Sequence, residues 1–141
     1  MSLSATAHSV RGTLRQTVLI DGRHALTTDE PVRRGGDDRG PAPHELLPAA
    51  LAACISTTLV TYARTKKWEL GDVVVDVDYD NESAPRSFDV VIGLTGALDD
   101  EQIERLGKVA AACPLRRSIA AGFAFSERIE RVTAKAHAAV G

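Results

Sequence analysis

Two cysteines, Cys54 and Cys113, are the residues of this chain best suited to covalent chemistry. Cys54 lies in LLPAALAACISTTLVTYA, an apolar run rich in small side chains. Cys113 stands directly before Pro114, with Arg116 and Arg117 following. Proline suits the first position of a helix, so this spacing predicts Cys113 at an N-cap. Its sulfur would there face unpaired N–H groups and the positive end of a helix dipole, which favours the thiolate. The two arginines add positive charge. A thiolate can attack the O–O bond of a peroxide and become a sulfenic acid. A second thiol then condenses with it to a disulfide, which an outside dithiol must reduce. Taken alone, Cys54 reads as a small hydrophobe packed in a core; the nature of Cys113 moves the reading towards redox chemistry.

Other chemistries have less to work with. Neither cysteine belongs to a CxxC pair, and His8, His24, His44 and His137 form no cluster, so no metal and no cofactor are expected. With 17 basic and 19 acidic residues the formal net charge is -2, which gives no electrostatic reason to expect nucleic acid or an acidic membrane. The N-terminus lacks the basic-then-apolar order of a signal peptide, and the expected compartment is the cytoplasm. A cysteine pair there is more often catalytic or metal-binding than a permanent staple.

The elements that must position the thiols follow from periodicity. Val10, Gly12, Leu14, Gln16, Val18 and Ile20 alternate with mostly polar residues and predict a strand. Asp21-Gly22 marks a hairpin into a second strand over 23–28. Pro31 to Pro43 is dense in Gly, Pro and Asp and reads as a loop. A long helix is expected over about 44–66, kinked at Pro48 because Pro43 suits its first turn. Trp68–Gly71 reads as a turn, followed by strands over 73–79 and 87–94. Asp99 and Gln102 have the spacing of a capping box, opening a helix with Ile103, Leu106 and Ala110 on its inner face. A short helix from Pro114 should end near Gly122, and 123–132 should close the fold as a strand. This order predicts a single α+β domain over 1–141. Leu46 to Ala63 carries no charge on any face, so the helix should be covered nearly all round. A second copy would supply that cover, which predicts an intertwined homodimer rather than a membrane span.

GPAPHELLPAALAACISTTL, a Trp-containing turn, a DVxVDV-like strand and AAACPLRRSI together resemble the superfamily of osmotically inducible protein C and the organic hydroperoxide resistance proteins (OsmC/Ohr). The resemblance runs from about Leu14 to Val132. It implies an α+β intertwined homodimer, with antiparallel sheets wrapped around long central helices and active sites at the subunit interface. It further implies a thiol peroxidase for organic hydroperoxides, reduced by a lipoyl-type or similar external dithiol. Carried over by residue, Cys54 matches the peroxidatic cysteine and Cys113 the resolving one. Counting back from the helix without gaps puts the family's catalytic arginine at Arg34, with Arg15 and Arg39 as rivals. Such an arginine would hold the thiolate and steady the developing alkoxide.

The chain departs from the family at His44, where its peroxidases usually carry a glutamate that pairs with the arginine. A histidine is largely neutral near pH 7, and Glu45 points about 100° round the helix from residue 44. His44 and Glu45 are therefore possible accessory groups, with weaker peroxidase activity expected. Two non-catalytic readings stand beside the peroxidase: an apolar-ligand-binding dimer and a redox sensor of the same fold.

Overall fold

The second element of the chain is a tight hairpin, and its turn chemistry explains it. The computed structural model describes residues 2–133. Strands β2 (Gln16–Ile20) and β3 (His24–Thr28) pair antiparallel. Asp21 and Gly22 between them take φ of 50° and 68°, the positive values that a primed hairpin turn requires. A further strand, β1 (Ala5–Ser9), pairs with β2 and completes a three-stranded sheet in the order β1-β2-β3. The expected strand from Val10 is therefore corrected. Val10 to Leu14 is a turn, with Gly12 at φ 78° and the Thr13 hydroxyl donating to the Val10 carbonyl at 2.7 Å. The apolar alternation ran straight through it.

The chain divides into two units, one of residues 2–46 with 126–133, the other Leu47–Phe125. The first holds the three-stranded sheet and the loop after it. The second is built on helix α1 (Leu46–Lys66) and the hairpin β4 (Val73–Asp80) and β5 (Ser87–Leu94). Val73, Val75, Val77 and Tyr79 alternate with exposed residues and lie opposite Leu94, Ile92, Val90 and Phe88. Tyr79 and Phe88 stack with ring centroids 4.7 Å apart. This sheet face packs on a stripe of α1 formed by Leu51, Ile55, Leu59 and Ala63. Helices α2 (Asp100–Ala111) and α3 (Pro114–Ala121) add Leu106, Ala110, Leu115 and Ile119 to the same core.

Helix ends follow their sequence signals. The Asp99 carboxylate accepts from Gln102 N–H at 2.7 Å, and the Gln102 side chain accepts from Asp99 N–H at 3.0 Å, a reciprocal cap. Cys113 is the N-cap residue of α3. The start of α1 differs from expectation. Pro43–Glu45 forms a separate 3₁₀ turn and the α-helix opens at Leu46, so Pro48 sits in its first turn, where no intrahelical donor is missed. The predicted interior kink at Pro48 is thereby removed.

Two further expectations are corrected. Ile103 is exposed rather than part of the buried face of α2; it lines a groove of about 350 Å³ with Leu59, Ile92, Leu94, Leu106 and Gly107. Residues 123–132 form no strand, and Phe123, Phe125, Ile129 and Val132 are exposed. A single chain buries one stripe of α1 and leaves Leu47, Ala49, Ala50, Ala53, Thr57 and Thr61 exposed, the faces for which a second copy was expected. Residues Pro43–Lys66 are long and apolar enough to cross a membrane by length and composition, but the buried stripe makes this helix the core element of its unit.

Candidate active site

The second unit brings the two cysteines together. Cys54 projects from the middle of α1, and Cys113 caps α3, 59 residues later in the chain. Their sulfurs lie 3.0 Å apart and both thiols are free. A disulfide needs about 2.05 Å between sulfurs, so a small approach joins them. The two sulfurs differ in access. Cys113 is 0% exposed, whereas Cys54 is partly open.

Their electrostatics differ as well. Burial pushes the Cys54 thiol up, and the neighbouring Cys113 sulfur pushes it further. Burial also disfavours a Cys113 thiolate, but the hydrogen bond with Cys54 and the backbone N–H groups of Arg116 and Leu115 outweigh it, and its net direction is down. Those N–H groups are the free donors of the first turn of α3, as the Cys-Pro spacing predicts. Thr58, one turn beyond Cys54, donates its hydroxyl to the Cys54 carbonyl at 2.8 Å and favours both thiolates. Sequence reading missed Thr58; its place four residues after Cys54 on a helix was the available signal. Leu51, one turn before Cys54, lines a pocket of about 240 Å³ with Phe88, Val90, Arg116, Ile119 and Ala120.

The remaining candidates belong to the first unit. Arg34 ends a 3₁₀ turn (Val32–Arg34); its side chain is 57% exposed and lies 3.9 Å from Glu30. Arg39 is exposed in the loop. Arg15 precedes β2, its side chain is 33% exposed, and Nη2 lies 3.9 Å from Asp37. His44 is exposed on the 3₁₀ turn before α1. The Glu45 carboxylate accepts from Ala42 N–H at 3.2 Å, so it caps that turn.

The loop carrying Arg34 and Arg39 closes around Asp29, which is 0% exposed. Asp29 Oδ1 accepts from Glu30 N–H at 2.8 Å, and Oδ2 accepts from Asp37 and Arg39 N–H at 3.2 and 3.1 Å. Burial pushes this carboxyl up, but the N–H groups of Arg39, Glu30 and Asp37 and the charge of Arg15 prevail and hold it below the ordinary carboxylate value. A depressed folded-state pKa means stability that is complete above the ordinary value and lost as pH falls through the folded one. Urea midpoints should therefore hold steady at mild acidity and drop below about pH 4. In Asp29→Asn that part of the acid loss should vanish; an identical acid profile in the variant would refute the assignment.

A family model for OsmC-like proteins matches residues 35–128. The chain belongs to the OsmC-like family. The OsmC-like fold is also found in solved structures. A protein from Mycoplasma pneumoniae described as OsmC-like superposes with a TM-score of 0.70 at 17% identity, over 85% of this chain and 88% of that one. A putative osmotic stress induced and detoxification response protein from Psychrobacter arcticus gives 0.68 at 23% identity, over 80% and 85%. An organic hydroperoxide resistance protein OsmC from Legionella pneumophila gives 0.58 at 26% identity, over 84% and 89%. No curated protein sequence matches the OsmC-like chain significantly.

Proposed function

We propose that this OsmC-like protein acts in peroxide defence as a cysteine-based thiol peroxidase for organic hydroperoxides. The observation that carries the reading is the 3.0 Å separation of two free sulfurs from remote parts of the chain. The likeness to the Legionella organic hydroperoxide resistance protein supports it. The Cys54 thiolate attacks the outer oxygen of ROOH; an S–O bond forms, the O–O bond breaks, and RO⁻ leaves and is protonated to the alcohol. The Cys113 thiolate then attacks the sulfenic sulfur, hydroxide leaves and takes a proton as water, and a Cys54–Cys113 disulfide remains. An external dithiol, of lipoyl type or similar, returns the two electrons. The cytoplasm, where thiols are kept reduced, suits this cycle. The apolar core against which Cys54 packs favours an alkyl tail over hydrogen peroxide.

A guanidinium would steady the thiolate and the departing alkoxide. Arg34 is the candidate for that role, with Arg15 and Arg39 as its rivals. His44 in place of a glutamate lowers the expected turnover. The bare face of α1 and the unpaired apolar residues of 123–132 favour an intertwined homodimer. Sedimentation should give twice the 15.0 kDa chain mass, with Ala50→Glu shifting the population to monomer. A monomeric wild type would rule the assembly out.

The reading is tested by mixing reduced protein with cumene hydroperoxide. One equivalent of peroxide and both thiols should be consumed, and dihydrolipoamide should restore them. The groove lined by Leu59, Ile92, Leu94 and Ile103 favours a second reading, an apolar-ligand carrier. A carrier would bind a fatty acid equally well with or without Cys54 and consume no peroxide. A sensor would form the disulfide once and fail to cycle.

A further inference from the structure

Thr58 carries a half-buried hydroxyl beside the two sulfurs, and the proposed cycle gives it no task. It stands one turn beyond Cys54 on the same side of α1. Its Oγ1–H donates to the Cys54 carbonyl at 2.8 Å. That carbonyl does not depend on this bond, because the helix ladder already supplies it with the N–H of the same residue. The hydroxyl is therefore a spare donor, held at the site by a bond it can leave. The sulfurs of Cys54 and Cys113 lie 3.0 Å apart, and both are within hydrogen-bonding reach of it. Cys113 has two backbone donors, the N–H groups of Arg116 and Leu115, whereas Cys54 has the Leu115 N–H. The side-chain donor thus matters most at Cys54, the sulfur that must react first.

The ionisable groups of the surrounding elements are engaged elsewhere. On α1 the Tyr62 hydroxyl accepts from Arg105 Nε of α2 at 2.9 Å, and Lys108 of α2 lies 3.6 Å from Glu104. On α3 the Arg116 guanidinium donates to the Ala111 carbonyl at 3.1 Å, and Arg117 is exposed. The inner residues of β4 and β5 are apolar but for Tyr79, which stacks on Phe88.

We infer that Thr58 is a catalytic residue of the thiol site: its hydroxyl turns from the Cys54 carbonyl to donate to whichever sulfur carries the negative charge. That sulfur is Cys54 as it attacks the peroxide and Cys113 as it attacks the sulfenic acid. This rests on the peroxidase reading. The O–H bond of Thr58 stays intact throughout; only its acceptor changes, so the residue neither gains nor loses a proton over the cycle. Burial and the Cys113 contact push the Cys54 thiol up, and the Thr58 hydroxyl acts against them.

The test is the pH profile of Cys54 oxidation by cumene hydroperoxide, followed by stopped flow in the full-length protein. Thr58→Val removes the hydroxyl and keeps the branched shape; Thr58→Ser keeps the hydroxyl; Thr58→Ala is a second hydroxyl-free variant. Losing a hydrogen bond to a charged sulfur should move the midpoint of the pair up by about one pH unit in Val and Ala. A less stabilised thiolate is also more nucleophilic. The hydroxyl-free variants should therefore be about threefold slower than wild type below the midpoints and about threefold faster above them. Thr58→Ser should track wild type. A packing fault would instead slow oxidation by one factor at every pH. That outcome, an unmoved midpoint, or a serine variant that behaves like valine would each overturn the inference with the thiol chemistry intact. A wild type that consumes no peroxide would remove the peroxidase reading, and titrating the thiolate by its ultraviolet absorbance would still decide whether Thr58 serves the sulfurs.

Discussion

Cys54→Ser should abolish peroxide consumption outright. A serine hydroxyl in place of the thiolate is no nucleophile near neutral pH, and the O–O bond has no other thiol open to it: Cys113 is fully buried. The expected loss is at least about 10³-fold against cumene hydroperoxide, down to the background rate. Cys113→Ser should behave differently. Cys54 should still react once, but the sulfenic acid has no thiol within reach and should be trapped by dimedone or over-oxidise. Mass spectrometry separates the outcomes: no change in the first variant, an added oxygen or dimedone adduct in the second, a loss of two hydrogens in wild type. Full activity in Cys54→Ser would end the proposed assignment, whatever the sulfur spacing.

Leu59→Ala should bring the largest loss of stability. Leu59 is 0% exposed, sits midway along the α1 stripe, and packs in the core shared by the β4–β5 hairpin and α2. Removing three carbons there leaves a cavity that the surrounding helix and sheet can collapse into only in part. Such substitutions cost about 3–5 kcal/mol, against a total of roughly 5–15 kcal/mol for a typical domain. Chemical denaturation should show a much lower midpoint, and at physiological temperature the thiol chemistry should fail along with the fold. A cost under about 1 kcal/mol would mean that the stripe is not the centre of this unit. Thr57, two residues earlier and exposed, is the control: Thr57→Ala should be near neutral in a lone chain.

The parts of the fold legible in the sequence are those with a local cause. Asp21-Gly22 dictates its own turn, Asp99 and Gln102 cap each other, and Pro114 places Cys113 at a helix start. The valines of β4 announce their inner face by alternation alone. Failures came where local pattern and tertiary partner part company. Alternation through Val10 and Gly12 looked like a strand, but Gly12 at positive φ turned the chain. Residues 123–132 carry strand-like spacing and have no strand beside them among the described residues, and a ladder needs both sides. Pro48 was misjudged because a 3₁₀ turn, invisible to periodicity, takes up the chain before it. At the site, each cysteine's local setting was readable, but their meeting across 59 residues is a tertiary fact that only the family resemblance supplied. Asp29 left no trace at all: a carboxylate that binds backbone N–H groups has no period and no motif.

In the proposed cycle, the unequal access of the two sulfurs would set the order of events when the oxidised pair is opened again. A bulky dithiol would approach the sulfur that has a surface, so the transient mixed disulfide should form on Cys54 and expel Cys113. Expulsion is fastest when the departing thiol is the more acidic of the two, and the N–H groups of Leu115 and Arg116 already favour the charge that Cys113 would carry away. Regeneration would thereby be regioselective: the sulfur shielded from attack is also the one whose N–H partners make it the better leaving group.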